Sequence, residues 1–600
     1  MPRMTLPLLA RRFANRLRRV GKPAVGIWHH PAYRLPVAAA EGVLGIEPRR
    51  SSFVVSYLLD TRVIHPKALR EPERIGYAEL GLVHTPELLE ALHDPEDLAR
   101  TFAVDPNEFR VDEILRTIRL ACGGTLAATE WALTERAAAF NLLGGFHHAG
   151  KSRGAALCPV NDVAVAVAVL RTRGFRGRVN ILDLDAHPPD GTAECFRGDP
   201  LVWIGSLSGT DWGKLEGVDE TVLPSGTGDA EYLAALSPLL CRMPKAELTF
   251  VLAGGDVLKG DKMGGLALSL EGARQRDLLV SWYVGQTPQV WLPAGGYHAE
   301  SWKVLAGSVV AVALDSETPL VTGYQPLRSR FAQIGLSLDR SELEGLADLT
   351  LADILGDLRG SQGTQRYLGF YTRDGVEYAL SRYGVLEELR RLGYSQFEVK
   401  LDGGGSGDRL RLYGQADGQR YLLVECVADI DRKDDVLFVN WLMLQNPRVG
   451  FSARRPRLPG QEHPGLGLAH EASELLVRTA ERLGLKGVAF RPASYHLAYA
   501  GRRQSSFADP ERQGRFEALQ RDLSHLTLLE ASRRVAQGHV HLNGAPYTWE
   551  ADLMIHWLTP LDAHDGSPSR AERIAKAKAE SHFSVVTPTL SPARGAPPTV

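Results

Sequence analysis

Three short apolar runs, each stopping where glycine or aspartate begins, constrain this chain more than any other feature. Residues 179–182 lead into Asp183-Leu184-Asp185-Ala186-His187, residues 248–253 into Gly254-Gly255-Asp256, and residues 289–293 into Ala294-Gly295-Gly296-Tyr297. Short β-branched runs bounded by turn residues and separated by helical stretches are the rhythm of an α/β domain with a largely parallel sheet. In such sheets ligands bind beyond the carboxyl ends of the strands, so polar residues that directly follow three apolar strands are placed to meet at one site. The rhythm runs from about residue 22 to about residue 325.

Composition narrows the class of chain that carries this pattern. With 600 residues, 44% hydrophobic and 23% charged, the sequence predicts a folded chain of several domains. Sixty-nine Lys and Arg against 71 Asp and Glu leave a net charge of −2, so no global field draws in nucleic acid, and no specific nucleic-acid partner is expected. The cysteines, Cys122, Cys158, Cys195, Cys241 and Cys426, are scattered and form no C-x-x-C pair, which argues against a disulfide framework or a thiolate zinc site. A reducing, cytoplasmic setting fits them. No apolar run reaches the roughly 18 residues of a membrane span. Residues 1–22 hold Arg3, Arg11, Arg12, Arg16, Arg18, Arg19 and Lys22 without an acid, and Leu6, Leu9, Phe13, Leu17 and Val20 recur at helical spacing. That segment reads either as a basic amphipathic helix for a membrane surface or targeting, or as an extension packed on the domain behind it.

Beyond residue 325 the texture changes. Residues 326–365 read as a short helical connector. An amphipathic helix over 378–392, with Leu380, Tyr383, Leu386 and Leu389 on one face, precedes strands near 396–401, 409–413, 421–428 and 436–445, with Asp417-Gly418 as a hairpin turn. This predicts a separate α+β domain over 366–560, and residues 561–600 read as a disordered tail that opens with a mixed-charge helical stretch.

The chemistry sits at the strand ends. Asp185 and His187 are one residue apart, so in extended chain their side chains point the same way and can share an ion; Asp256 supplies a third ligand. Carboxylate and imidazole donors without thiolate suit Zn²⁺, Fe²⁺, Co²⁺ or Mn²⁺. As bare spacing, D-x-H is far more often a helix-capping Asp beside a surface His. His147-His148 and the spare carboxylates Asp183 and Asp190 change the balance, because amide hydrolysis needs a base to deprotonate water and an acid to protonate the leaving amine. Tyr297, after two glycines, can donate a hydrogen bond to a developing oxyanion.

The ordered set Gly144-Gly145-Phe146-His147-His148-Ala149, Cys158-Pro159-Val160-Asn161-Asp162, Asp183-Leu184-Asp185-Ala186-His187, the run from Ala253 through Asp256 to Asp261, and Gly295-Gly296-Tyr297 resembles the zinc-dependent histone deacetylase family, of arginase/deacetylase fold, and its wording looks most like the class IV branch and bacterial relatives. The resemblance implies Zn²⁺ on Asp185, His187 and Asp256, with His148 as general base and acid. It implies His147 as its electrostatic partner, Asp183 and Asp190 orienting the two imidazoles, and Tyr297 polarising the carbonyl. It also implies a structural K⁺ near Asp183, Ser206 and Leu207. The family departs here at Pro188-Pro189, where it usually has His-Gly or Gln-Gly, and at Leu157, where a phenylalanine commonly walls the acyl channel; Trp212 is expected near the other wall.

In the second domain, Glu462-His463-Pro464-Gly465-Leu466-Gly467 opens a helix whose face carries Leu468, Ala472, Leu475, Leu476, Thr479 and Leu483. Backbone N–H groups of a Gly-x-Gly helix entry can face a pyrophosphate. Four strands, this turn, a helix and a strand over 487–490 resemble the GNAT-type N-acetyltransferase superfamily, with Glu462 in place of its Gln or Arg; that resemblance implies acetyl-CoA at Gly465 and Gly467. Taken together, the sequence points to a hydrolase that removes an acetyl or longer acyl group from an N-acyl-lysine of a protein, or from an acetylated small amine, by zinc-activated water. Two alternatives stay open: an acyl-lysine binding module with little turnover, and a two-site deacylase and acyltransferase.

Overall fold

Each of the three apolar runs is a strand, and the three lie side by side. The computed structural model describes residues 25–34, 46–104, 106, 110–344, 366–403, 407–452, 456–558 and 569–586; the basic segment 1–22 lies outside them. The chain divides into two units, Met1–Ser329 and Arg330–Val600. In the first, β1 (Val25–Trp28), β2 (Leu69–Arg70), β3 (Ala138–Asn141), β4 (Val179–Asp183), β5 (Val202–Ser208), β6 (Val218–Val222), β7 (Leu248–Leu252) and β8 (Gln289–Leu292) form one sheet in the order β2-β1-β3-β8-β7-β4-β5-β6. Every pairing in it is parallel.

The central strands are buried at every position and mostly apolar because both faces of the sheet are covered. Leu182, Val251 and Trp291 point into a cluster built with α1 (Arg50–Asp60), α5 (Asp229–Arg242), α6 (Leu270–Val284) and α7 (Ser301–Leu314). Their neighbours Ile181, Phe250 and Val290 point the other way, into a cluster built with α2 (Val111–Glu135) and α3 (Asp162–Thr172). Each such side chain contributes about 1.5–3 kcal/mol when fully buried, so one helical layer per face fixes the strand order and leaves the carboxyl edge to the loops. The short helix α4 (Asp190–Cys195) lies on that edge, after β4.

The second unit is α+β. Strands β9 (Ser395–Asp402), β10 (Asp408–Ala416), β11 (Gln419–Asp431), β12 (Val436–Leu444), β13 (Gly487–Phe490), β14 (Ser506–Phe507) and β17 (Met554–Trp557) join in the order β14-β17-β13-β12-β11-β10-β9. Asp417 and Gly418 turn β10 into β11 with φ of 52° and 73°, the left-handed pair of a tight hairpin. The single helix expected over 378–392 is two, α8 (Arg373–Arg382) and α9 (Val385–Arg391), broken where Gly384 takes φ of 82°. Helix α10 (Ala469–Arg482) separates β12 from β13. A second difference lies at the carboxyl end. The helical stretch expected to open the tail is α11 (Arg570–Glu580), but the chain then continues, where disorder was expected, into β18 (Phe583–Val585), which pairs with β15 (Val540–Leu542), itself paired with β16 (Ala545–Pro546). Phe583 is buried in the cluster around Phe516 and Tyr547, and that anchor outweighs the polar composition around it. Of the connector, helices span Pro326–Ser337 and Arg340–Glu344; residues 345–365 lie outside the described chain.

Candidate metal centre

Four adjacent strand ends, those of β3, β8, β7 and β4, deliver the site. The chain keeps its neighbours for a few residues past each strand: Leu184 N–H donates to Leu252, Ala253 to Leu292, Gly255 to Gly295 and Ala294 to Gly144. Asp185, His187 and Asp256 are thereby brought together, with one donor atom from each within 4.8 Å of the others. His187 Nδ1 lies 3.1 Å from Asp185 Oδ1 and 3.0 Å from Asp256 Oδ2. The glycines beside them are required by space. A Cβ on Gly254 would meet Asp256 Oδ1 at 2.6 Å and Asp185 Oδ2 at 2.7 Å, and one on Gly295 would meet an oxygen of each carboxylate at 2.7 Å. Without a side chain, Gly295 can also donate its N–H to Asp185 Oδ2 at 2.6 Å.

The electrostatics of this trio call for a cation. Burial, then the charge of Asp185, pushes Asp256 up to about 8. Burial alone would lower His187, but hydrogen bonds to Asp185 and Asp256 carry it up to about 11. Two buried carboxylates facing one imidazole are stable only with positive charge between them, and a divalent ion satisfies all three donors together.

The His147-His148 loop follows β3. His147 Nδ1 lies 2.9 Å from Asp183 Oδ2 and His148 Nδ1 lies 2.7 Å from Asp190 Oδ1, so each imidazole has its own carboxylate. The two rings differ in charge. Burial would lower His147, yet Asp183 and Asp185 raise it to about 9; burial and then the neighbouring His147 lower His148 to about 4. At neutral pH the pair is one cationic and one neutral imidazole, and the neutral one stands 5.9 Å, ring to ring, from His187. Tyr297 stands on the other side, 6.5 Å from His187 between ring centres. Its backbone N–H donates to Asp261 Oδ2 at 2.6 Å. Trp212, 48% exposed, lies 5.2 Å from the His148 ring and 6.1 Å from that of His187, forming an aromatic wall at the mouth.

Several further residues shape the site; Asn161 and Asp162 stand in the motif that begins at Cys158 but had no role assigned from sequence, and His84, Arg276 and Arg50 carry no local sequence signal. Asp162 accepts from Gly145 N–H, Phe146 N–H and the Thr125 hydroxyl, and Asn161 donates to the carbonyl of Ala149, so this pair holds the histidine loop at both ends. His84, lowered by burial to about 4, donates from Nδ1 to Gly150 O and accepts Asn161 N–H on Nε2, which requires the neutral ring. Arg276, fully buried on α6 and paired with Asp277, donates to the carbonyls of Leu184 and Gly254, the residues next to Asp185 and two before Asp256. Arg50 on α1 donates to Ala294 O and Gly295 O beneath Tyr297.

Comparison with known proteins fits this arrangement. The histone deacetylase domain family matches residues 45–313. Histone deacetylase 2 of Arabidopsis thaliana is 31% identical over 301 residues, which cover 48% of this chain and 78% of that protein. The chain belongs to the histone deacetylase family. An uncharacterised protein of a Picosynechococcus strain is likewise 31% identical, over 44% of this chain and 86% of its own length. Among solved structures, an HDAC homolog from Aquifex aeolicus aligns at 26% identity and a TM-score of 0.40, covering 48% of this chain and 84% of that one.

Within this histone deacetylase domain the departures have physical consequences. Pro188-Pro189 do not displace His148 from Asp190: the proline pair precedes α4, whose first residue is Asp190. Leu157, at φ of 65°, packs against the cluster of Phe102 and Val160, whereas Trp212 flanks the imidazoles. Where the resemblance implied a monovalent cation, Asp183 and Ser206 are cross-strand partners, and the buried Ser206 hydroxyl has no hydrogen-bond partner among the described residues. Gly465 and Gly467 belong to the second unit; both are exposed, in the loop that enters α10, and Gly467 takes φ of 76°.

Proposed function

We propose that the first unit is a metal-dependent amidohydrolase that removes an acyl group from an amine, with an N-acyl-lysine of a protein as its substrate. The observation that carries this reading is the convergence of Asp185, His187 and Asp256 beside a neutral imidazole, His148, that is seated on its own carboxylate. Asp185, His187 and Asp256 would hold the ion, Zn²⁺ by their donor set and the family's habit. A bound divalent ion supplies Lewis acidity toward the amide carbonyl and toward water at neutral pH. His148 takes the proton from water and returns it to the leaving amine, with Asp190 fixing its ring. His147, its imidazole favoured toward the protonated form by Asp183, faces the developing oxyanion, and the Tyr297 phenol donates to it. The unpartnered Ser206 hydroxyl beside Asp183 supports a structural K⁺ there.

The test is acid release from a panel of acyl-lysine peptides and acetylated small amines, after stripping and reloading metal. Turnover that disappears on chelation and returns with Zn²⁺ or Fe²⁺ is expected. Bound metal with no acid released from any member would make the domain a binding module, and no bound metal would overturn the assignment altogether.

For the second unit a further reading, an acyl-CoA site, rests on β12. It pairs with β13 only from Val436 to Val439; the register against β11 then slips by one residue at Asn440, and residues 441–444 keep β11 on one side with no strand among the described residues on the other. The Gly465 backbone lies against this free stretch, a Cβ there standing 3.7 Å from Leu444 O, and no side chain caps the first turn of α10. An open strand edge beside an uncapped helix entry offers hydrogen bonds to a pantetheine amide and to a pyrophosphate. Calorimetry with the full chain is expected to give a Kd for acetyl-CoA below about 0.1 mM; no heat of binding at millimolar ligand would remove this reading.

A further inference from the structure

We propose that Arg153 is the positioning residue of the base: from the rim of the site it holds the Asp190 carboxylate in line with the His148 imidazole. The proposal rests on the amidohydrolase reading above. Asp190 has two carboxylate oxygens with partners on opposite sides. Oδ1 meets His148 Nδ1 at 2.7 Å, and Oδ2 accepts from an Arg153 guanidinium nitrogen at 2.8 Å. A carboxylate fixed at one oxygen can still rotate about its Cβ–Cγ bond; one fixed at both cannot.

The local sequence explains why an arginine is needed. The backbone N–H groups just before an acidic residue often orient it, but Pro188 and Pro189 have none to give. Asp190 turns its own N–H to Pro188 O at 3.0 Å, so that donor is spent within the loop. The missing donors are replaced from another segment, across 37 residues of chain. The loop that carries Arg153 is itself tied to α4: Lys151 N–H donates to Glu194 Oε1 at 2.8 Å, and Arg153 Nε lies 3.6 Å from Glu194 Oε2, one turn after Asp190. The planar guanidinium thus spans both acids of α4, a geometry lysine cannot reproduce.

An exposed arginine–carboxylate pair is ordinarily worth about 0–1 kcal/mol and does nothing else. This one differs in what lies behind it. Exposure falls from 47% for the Arg153 side chain to 21% for Asp190 and 6% for His148, so the pair forms a line from solvent to a buried ring. The charged groups around that ring are Asp190, His147 and Asp185, with the rings of His187 and Trp212 against it. Arg153 touches none of Asp185, His187 and Asp256 in any hydrogen bond or ion pair described, and its effect must pass through Asp190.

The experiment compares R153Q, R153K and wild type as metal-loaded full chains, measuring metal content, kcat, KM and the pH dependence of kcat/KM on the best acyl-lysine peptide. R153Q is expected to keep its metal and its KM and to lose about tenfold in kcat. Its acid limb is expected to move to higher pH, because losing a nearby cation makes protonation of His148 easier. R153K, which keeps the charge and loses the fork, should restore the limb and only part of kcat. Unchanged kcat and an unchanged limb in both variants would overturn the role of Arg153 and leave the hydrolase intact. Histidine-ring NMR, with the His148 signal identified by its loss in H148Q, gives a second readout that needs no turnover. If wild type releases no acid, the function falls, and a His148 titration equal in R153Q and wild type then overturns the positioning role on its own.

Discussion

Asp256→Ala should yield a folded chain that binds no metal and hydrolyses nothing, a loss of at least about a thousandfold in kcat/KM. The reasoning starts from the buried trio. Asp256 is fully buried, gives one oxygen to His187 and the other to the N–H of Ala186, and faces Asp185 across the site. Truncating it leaves Asp185 and His187, two donors that already neutralise each other and have little reason to hold a divalent ion. The same change relieves the crowding of two buried carboxylates but leaves the Ala186 N–H without its acceptor, so each protein is compared with its own metal-free form. The contrast appears on adding metal. An ion at a thousand times its Kd stabilises the native state by about 4 kcal/mol, so wild type should melt several degrees higher with Zn²⁺ while Asp256→Ala stays where it was. Metal analysis and melting curves with and without Zn²⁺ decide it; a variant that retains a full equivalent of metal would mean that the ion sits elsewhere.

That much of the site could be read from sequence for a physical reason. The metal donors lie at most four residues beyond strands that are mostly apolar and wholly buried, and a D-x-H step in extended chain has only one geometry. The glycines were legible as turn residues, but not as the space through which Asp185 and Asp256 pass, which depends on strands meeting. His84 shows where local reading stops. It sits just before the Thr85-Pro86 helix start and looks like an ordinary residue ahead of a cap; its two partners are 66 and 77 residues away. Arg276 is similar, one charge in the polar run Arg274-Gln275-Arg276-Asp277 that looks solvent-facing, yet buried where it donates to the carbonyls of Leu184 and Gly254. In the second unit the alternation of strands was plain, whereas the break at Gly384 depends on a helix turning back to pack Val385 and Leu389 into the core. The tail misled because composition averages over residues, whereas buried Phe583, with Val585 beside it, is enough to anchor a three-residue strand on β15.

Tyr297→Phe is expected to keep metal and substrate binding and to lose about a hundredfold to a thousandfold in kcat, the usual effect of deleting one preorganised donor to an oxyanion. The case depends on how firmly the ring is held when its hydroxyl is gone. Its backbone N–H is fixed to Asp261 Oδ2, and the other oxygen of Asp261 accepts the N–H groups of Met263 and Gly264, so the anchor belongs to the loop after Asp256 rather than to the phenol. Gly296 precedes it at φ of 146°, with a Cβ position only 2.9 Å from Ser301 Cβ, so the turn is set by the backbone. Phenylalanine therefore takes the same place, and the variant removes one hydroxyl and nothing else. Metal content and KM should match wild type within about twofold, which separates this loss from that of Asp256→Ala. A Tyr297→Phe enzyme with wild-type kcat would show that the donor to the oxyanion comes from His147 alone; one that lost metal as well would show that Tyr297 supports the ligand loops rather than the reacting carbonyl.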